Sequence, residues 1–312
     1  MSRKKYSTKL FYKYYLEWIH LYKDQAIRPV TLKKYYLIQR QLKELAPRLH
    51  LNELTRQNYQ KILNQYAQTH QKTTTLDFHH HLRASLLDAY DDGLISIDPS
   101  RRAIIKGMRP DQNITKFLNF QQVQSLLKVL YLANEINWDW FIYLIIKTGL
   151  RFAEALALTP ADFNFEKNLI RINKSWNYKE KIGYFQPTKN PTSNRTIIID
   201  EQLMNQFSKL ISTKPIDQPI FFKKDCRVFN NSLNRHLANY CQKANIPKIT
   251  IHGLRHTHAS LLLYAGVSVA SVAKRLGHAN TTTTQTIYLH IIQELEEVDN
   301  AKILNHLRQL HS

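Results

Sequence analysis

Apolar residues in the first third of the chain recur at helical steps. Leu10, Phe11, Tyr14, Tyr15, Trp18, Leu21 and Tyr22 fall at three- and four-residue spacing and predict a first helix. Thr31 is placed to cap a second, running through Tyr35, Leu37, Leu42 and Leu45 and stopped near Pro47. Tyr59, Ile62, Leu63 and Tyr66 mark a third between Thr55 and Thr69; a fourth covers Thr74 to Asp92 and is ended by Gly93. Residues 94–115 lose the pattern. Pro99, Gly107 and Pro110 punctuate a basic, irregular stretch that reads as a connection between domains able to touch phosphates itself. Helical spacing resumes with Asn119 as cap of a helix from Phe120 to Leu132, then an apolar helix from Trp138 to Thr148. Alternation replaces it at Leu169 to Lys174, Tyr184 to Thr188 and Thr196 to Ile199, with Asn190, Pro191 and Asn194 in turns. Helices return at Gln202 to Ile211 and Asn230 to Ala244. From Thr250 to His290, Leu261, Leu262, Ala265, Val269, Val272 and Leu276 predict helices packed on a core. A last stripe, Ile303, Leu304, Leu307 and Leu310, needs a groove in its own chain or a neighbour's. The pattern predicts a mainly α chain with a small antiparallel β-sheet, divided into a helical domain (1–107), a linker (108–115) and a mixed domain (116–312).

Composition adds a partner to this outline. At 312 residues there is room for two cores. The 44 Lys+Arg against 24 Asp+Glu leave a net charge of +20, a field that favours a polyanion, most simply nucleic acid. About half of that excess lies in residues 1–107, which marks the helical domain as a DNA-gripping face. Cys226 and Cys241 have no C-x-x-C spacing, which fits a reducing compartment and argues against a disulfide framework or a structural zinc. His79, His80 and His81 point about 100° apart on a helix, so they cannot converge on one metal and are expected to be partly exposed. Lys13 and Glu17 interrupt any signal-peptide core, and the apolar run from Trp138 to Ile146 is too short for a bilayer. A soluble, cytoplasmic protein without membrane association is expected.

Candidate chemistry concentrates in the stretch from Thr250 to His290. His252 and Arg255 stand three apart and share a helical face; Gly277 is placed to close a helix before His278; Tyr288 follows ten residues later. Arginine grips phosphate oxygens with a planar fork, histidine moves protons near neutral pH, and a deprotonated tyrosine is a nucleophile. Together they suit a tyrosine attacking a phosphodiester, although H-x-x-R is also an ordinary packing pair and H-G-L-R-H-T-H also suits a metal site. Upstream, Gly149 suits a turn that sets Arg151 at the start of a helix with Glu154 three residues on, an arrangement open to a phosphate or to a plain surface ion pair. Lys189 falls in the turn before the last predicted strand.

With these pieces in place the chain resembles the tyrosine recombinase family, in particular the phage-type integrases of temperate phages and conjugative elements of Gram-positive bacteria. The resemblance rests on T-G-L-R-F-A-E-A-L-A-L (148–158), P-T-K-N-P-T-S-N-R-T-I (187–197), H-G-L-R-H-T-H-A-S (252–260), L-G-H-A-N (276–280) and T-I-Y-L-H (286–290), in the family's order. It implies a core-binding domain and a catalytic domain closing as a C-shaped clamp on double-stranded DNA attachment sites, a homotetramer exchanging its C-terminal helix, and accessory DNA-bending or directionality factors. It assigns Arg151, Lys189, His252, Arg255, His278 and Tyr288 to the catalytic set. Tyr288 would be the nucleophile forming a 3′-phosphotyrosyl link. Arg151 and Arg255 would neutralise the non-bridging oxygens, His252 would be general base, Lys189 general acid, and His278 a donor to a phosphate oxygen. Glu154 would orient the arginines and histidine from behind, and neither metal nor nucleotide cofactor is needed. The chain begins almost at the first core-binding helix, as in a two-domain recombinase of the Xer kind or a chain lacking the arm-binding domain of phage and element integrases. A DNA-binding regulator without catalysis and a strand-relaxing enzyme are the competing readings. Against the first stands the complete residue set; against the second, the apolar tail.

Overall fold

The computed structural model describes residues 7–109, 117–180, 182–223, 225–282, 284–286 and 288. The chain divides into two compact units, Met1–Gln112 and Asn113–Ser312. The tail stripe Ile303 to Leu310 lies outside the described residues.

Four helices build the first unit: α1 (Phe11–Tyr22), α2 (Pro29–Leu45), α3 (Arg56–Ala67) and α4 (Lys72–Asp91). Their starts follow local chemistry. The Thr55 hydroxyl accepts the Asn58 amide at 3.1 Å and caps α3. Helix α2 begins two residues before Thr31, because Pro29 at its first position has a backbone already set for helix and lacks the amide that would go unpaired there. Phe11, Tyr15, Trp18, Leu42, Tyr59, Leu63, Phe78, Leu82 and Leu86 make the core. Polar tips among them are paired: Trp18 Nε1 donates to Asp88 at 2.6 Å and the Tyr14 hydroxyl to the Ser85 carbonyl at 3.0 Å.

Two expectations fail in this unit. His79 is buried rather than partly exposed, 8% accessible, its Nδ1 2.9 Å from the Tyr59 hydroxyl. Burial, ahead of the neighbouring charges of His80 and Arg83, lowers its pKa. The irregular stretch after α4 is also not a free connection over its first dozen residues. Ile95 is buried, Leu94, Ala103 and Ile105 pack on the same core, and the Gln60 amide clasps the backbone N–H and C=O of Ile104 at 2.9 and 2.8 Å.

The second unit opens with α5 (Phe120–Val129), held by a reciprocal cap in which Asn119 and Gln122 each accept the other's backbone amide at 2.9 Å. Helix α6 (Trp138–Thr148) is capped by Asn137 and buried on nearly all sides. Beyond it come α7 (Phe152–Leu156) and the strands β1 (Phe163–Asn164), β2 (Leu169–Ile172), β3 (Lys174–Asn177), β4 (Tyr184–Pro187) and β5 (Arg195–Ile198). The single small sheet expected is two: an antiparallel sheet in the order β1-β2-β5, and a separate β3-β4 hairpin pairing Trp176 with Phe185. The predicted strand Leu169 to Lys174 breaks at Asn173, and Lys174 turns to the buried Asp162 carboxylate, 2.6 Å away. β3 escapes the alternation test because Ser175 and Trp176, neighbours on opposite faces, are both buried.

Helices α8 (Glu201–Ile211), α9 (Asn230–Lys243), α10 (Ile251–Tyr264) and α11 (Val269–Leu276) complete the unit. Asp200, Thr250 and Ser268 cap three of them through the usual side-chain acceptors. Helix α10 lies against α6. It buries Leu254, Ala259 and Leu263 but also Arg255, Thr257, His258 and Ser260, while Ala265 is exposed and Leu261 and Leu262 only half-buried. The apolar spacing therefore misplaced its inner face, because much of that face is polar.

Helix α6 stops at Gly149, whose φ of 66° is left-handed; a β-carbon there would meet His258 Cδ2 at 2.6 Å and Leu276 Cδ2 at 2.8 Å. Gly266, at φ 81°, has open space instead. Gly266→Ala should therefore cost about 1–2 kcal/mol of backbone strain. Gly149→Ala should cost about 2–5 kcal/mol, overpacking included. Urea unfolding of the two variants checks this; equal midpoints would show that His258 yields freely.

Candidate active site

Three chain reversals converge in the second unit. Past Gly149 the chain turns so that Arg151 caps α7 and its amide donates to the Glu154 carboxylate at 3.1 Å. Arg255 comes from the second turn of α10, and α11 ends at Gly277, again left-handed with φ 68°. Helix ends leave carbonyls unpaired and partly negative, and here they are taken up by arginine. Arg255 Nη1 donates to the Gly149 carbonyl at 2.7 Å and Nη2 to Leu276 at 2.8 Å. Arg151 Nη2 donates to Gly277 at 3.0 Å, and its Nη1 to the Ser193 hydroxyl at 3.2 Å.

Glu154 sits among these groups, 3% exposed, accepting Arg151 Nη1 at 2.6 Å and Arg195 Nη2 at 2.9 Å. Burial works to raise its pKa, but Arg195 first, then Arg151 and Arg255, hold it below the ordinary carboxylate value. Burial and then the Arg151 charge push Arg255 down to about 9. Three guanidiniums act on one carboxylate, so among the described residues the cluster carries more positive than negative charge. Arg195 was not singled out from the sequence. It sits in the P-T-K-N-P-T-S-N-R-T-I motif two residues before the buried Ile197, so strand alternation alone puts it on the inner face.

The histidines fall into distinct settings. His258 Nδ1 donates to the Ile146 carbonyl at 2.8 Å, and its Nε2 accepts Arg275 Nε at 2.9 Å, which fixes one neutral tautomer. Burial, then the Arg275 charge, pushes its pKa to about 3. Arg275 reaches further, to the carbonyls of Ile198 at 2.9 Å and Lys147 at 3.2 Å, and joins β5 to the end of α6. His278 Nδ1 lies 2.7 Å from Thr284 Oγ1; burial, then Arg255 and Arg151, push its pKa to about 4. A cleft of about 820 Å³ between β5 and α11, lined by Arg195, Lys274, Gly277 and His278, opens beside it. His252 keeps one exposed edge; desolvation of the rest of the ring, then the Arg255 and Arg151 charges, lower its pKa as well.

Tyr288 is 1% exposed and packs with Ala259, Leu263, Val272 and Leu276. Its hydroxyl lies 2.9 Å from Nδ1 of His256, not of His252, whose ring stands edge-on to His256 at 4.8 Å. Burial raises the phenol's pKa against the smaller opposing effect of Arg255. Of the residues singled out from sequence, Arg151, Glu154, Arg255, His252, His278 and Tyr288 are thus gathered around the ends of α6, α10 and α11. Lys189 is exposed between β4 and the Pro191–Ser193 turn and touches none of them. The base of its loop is pinned, with Thr188 Oγ1 donating to Asn194 at 2.8 Å. Among the described residues no group of three His, Cys, Asp or Glu side chains is placed to hold a metal, and no helix is long and apolar enough to cross a membrane.

The second unit thus gathers arginines, histidines and a buried tyrosine around one carboxylate. The phage integrase family profile matches residues 116–294, more than half of the chain, and the chain belongs to that family. An integrase of Staphylococcus phage L54a is 24% identical over 222 residues, covering 64% of this chain and 62% of that relative. The tyrosine recombinase XerA of Pyrococcus furiosus is 29% identical over 203 residues, 63% of this chain and 65% of its own. The chain thus matches less than two thirds of the length of either. Among solved structures, the Tn1549 transposon integrase in complex with a circular intermediate DNA shares the fold, with a TM-score of 0.76 at 18% identity over 93% of this chain and 99% of that one.

The low histidine values predict acid sensitivity. An unfolded chain's histidines titrate near ~6.5, whereas folded His278 and His258 do so at about 4 and about 3. Between these values the unfolded chain binds more protons, so this stability is complete above the unfolded value and is lost as pH falls. His258→Gln, which keeps a donor and an acceptor but cannot titrate, should lose less of its urea midpoint than wild type between about pH 6.5 and 4.5. Parallel curves would mean that folded His258 takes up its proton at the same pH as the unfolded chain.

Proposed function

We propose that this chain is a site-specific DNA recombinase of the tyrosine type, an integrase that inserts or excises a phage or other mobile element. What carries the reading is the excess positive charge of Arg151, Arg195 and Arg255 around Glu154, with a tyrosine in the same cluster. A simple DNA-binding module gains nothing from burying a tyrosine there. The helical unit, rich in lysine and arginine, is the natural grip on duplex DNA, and residues 116–312 the catalytic domain. The attachment sites are double-stranded DNA and the working assembly a homotetramer, joined through the C-terminal stripe; accessory DNA-bending or directionality factors belong to the same proposal, as does a cytoplasmic location.

In this mechanism the Tyr288 oxygen attacks the scissile phosphorus, forming the 3′-phosphotyrosyl bond as the P–O5′ bond breaks. Arg151 and Arg255 stabilise the charge that builds on the non-bridging oxygens; fixed donors of this kind contribute about 10²–10³ in rate each. Glu154, with Arg195 behind it, holds the Arg151 fork in place. His278, neutral at physiological pH, donates to a phosphate oxygen. Lys189, on an exposed loop, swings to the leaving 5′-oxygen and protonates it. Energy stored in the phosphotyrosine serves rejoining, so no metal or nucleotide enters.

Two measurements test these roles on duplexes selected for binding from a random pool. Tyr288→Phe should abolish the covalent protein–DNA adduct and leave affinity within about twofold, because one hydroxyl counts for little beside many phosphate contacts. An adduct persisting in that variant would move the nucleophile elsewhere. Lys189→Ala should cleave normal DNA about 10²–10⁴ times more slowly. With sulfur replacing the bridging 5′-oxygen it should approach the wild-type rate, since a thiol with pKa ~8.5 leaves as thiolate without help. Arg151→Ala should show no such rescue, and rescue of neither variant would remove Lys189 from the acid's role.

A further inference from the structure

The group that meets the nucleophilic oxygen is not the histidine of H-x-x-R but the one directly after its arginine. His256 lies four residues past His252 on α10, one turn deeper, and its Nδ1 is 2.9 Å from the Tyr288 hydroxyl. The two rings are 5.9 Å apart and tilted, so the contact runs through the nitrogen and not through stacking. The phenol sits in a wall of Ala259, Leu263, Val272 and Leu276, which supplies no polar partner from their side chains. The His252 ring packs edge-on against His256 at 4.8 Å.

We propose that His256 is a catalytic residue of the strand-cleavage step, the first acceptor of the Tyr288 proton, with His252 behind it as the exposed end of the pair. This rests on the recombinase reading of the site. The balance is simple. The Tyr288 O–H bond breaks and its proton moves to Nδ1 of His256, giving imidazolium; the phenolate forms the bond to phosphorus; the electron pair of the broken P–O5′ bond takes a proton from Lys189. In rejoining, the imidazolium returns the proton to the departing phenolate. The step uses His256 as its Nε2–H tautomer, in which Nδ1 accepts the Tyr288 hydroxyl. Among the described residues, the titratable and charged groups around His256 include His252 and Arg255 of its own helix, Tyr288, and His278 from beyond α11, whose protonation His256 disfavours. A position four residues from His252 also gives the more exposed imidazole a use: it can pass to solvent the proton that its half-buried neighbour takes up.

The test is single-turnover adduct formation by the full chain on saturating DNA, from about pH 5 to 9. His256→Asn keeps an amide near the Nδ1 position and has no proton affinity, so it is the informative variant; its melting temperature and DNA affinity are measured alongside. The expected result is wild-type melting and affinity, a rate about 10²–10⁴-fold lower at pH 7, and loss of the limb along which the wild-type rate rises as an imidazole deprotonates. His252→Asn should be slower but keep that limb. A His256→Asn enzyme as fast as wild type, or faster, would overturn the proposal; faster would mean that the hydrogen bond merely restrains the phenol. Retention of the limb in His256→Asn with its loss in His252→Asn would return the base to His252. If His256→Asn unfolds, His256→Gly with added imidazole takes its place, and failure of imidazole to restore the rate overturns the proposal. Absence of any adduct from the wild-type chain, with DNA bound, would instead sink the recombinase reading itself, and this role with it.

Discussion

A guanidinium cannot be buried unless its donors are met, because an ion taken out of water costs several kcal/mol that only close acceptors offset. This chain buries Arg255 almost completely and Arg195 nearly so. Much of the second unit is arranged to meet that demand. The acceptors are mostly backbone carbonyls at or just past the ends of α6 and α11: Gly149, Leu276, Gly277 and, for Arg195, the Arg275 carbonyl at 2.7 Å. Carbonyls carry only partial charge, so they satisfy the geometry of the forks without cancelling their charge. Glu154 cancels one unit of it. The site is thereby oriented and still electropositive, which is the state in which fixed donors stabilise a developing anion with little reorganisation.

Orientation depends on elements remote from the charge. Helix α6 must stop where it does for the Gly149 carbonyl to face Arg255, and α10 must present a polar inner face to receive it. Arg275 and His258 brace that arrangement. Their hydrogen bonds tie α10, the end of α6 and the end of β5 together. The low proton affinity of His258 follows first from its burial and then from serving as acceptor to a guanidinium.

Legibility in the sequence followed chemistry closely. Helices of the first unit and α5 to α9 were readable from their apolar stripes, with starts fixed by caps where these exist, as at Thr55, Asn119 and Asp200, and missed where Pro29 rather than Thr31 opens α2. β3 was not, since Ser175 and Trp176 are buried on both sides of the strand. Helix α10 was found but its inner face was misplaced, since a hydrophobic period does not register Arg255, Thr257 and His258 as core. The same limit governed the site. Arg151, Arg255, His278 and Tyr288 stood out by motif, whereas Arg195, marked only by strand alternation, and His256 contribute through contacts that span 41 and 32 residues of chain. The tail stripe falls outside the described residues, and its groove stays an expectation from spacing.

Gly277 carries a consequence for how such a chain changes over time. The volume where a β-carbon would stand is taken by Arg195, whose Nη1 would lie 2.9 Å from it, with Ser193 Cα at 3.1 Å on the other side. A larger residue at 277 is admissible only if Arg195 withdraws, and Arg195 withdraws only by releasing Glu154. Replacing Arg195 first leaves that carboxylate with one guanidinium fewer in a buried setting. Neither order of single steps is cheap, so the two positions are coupled through one guanidinium.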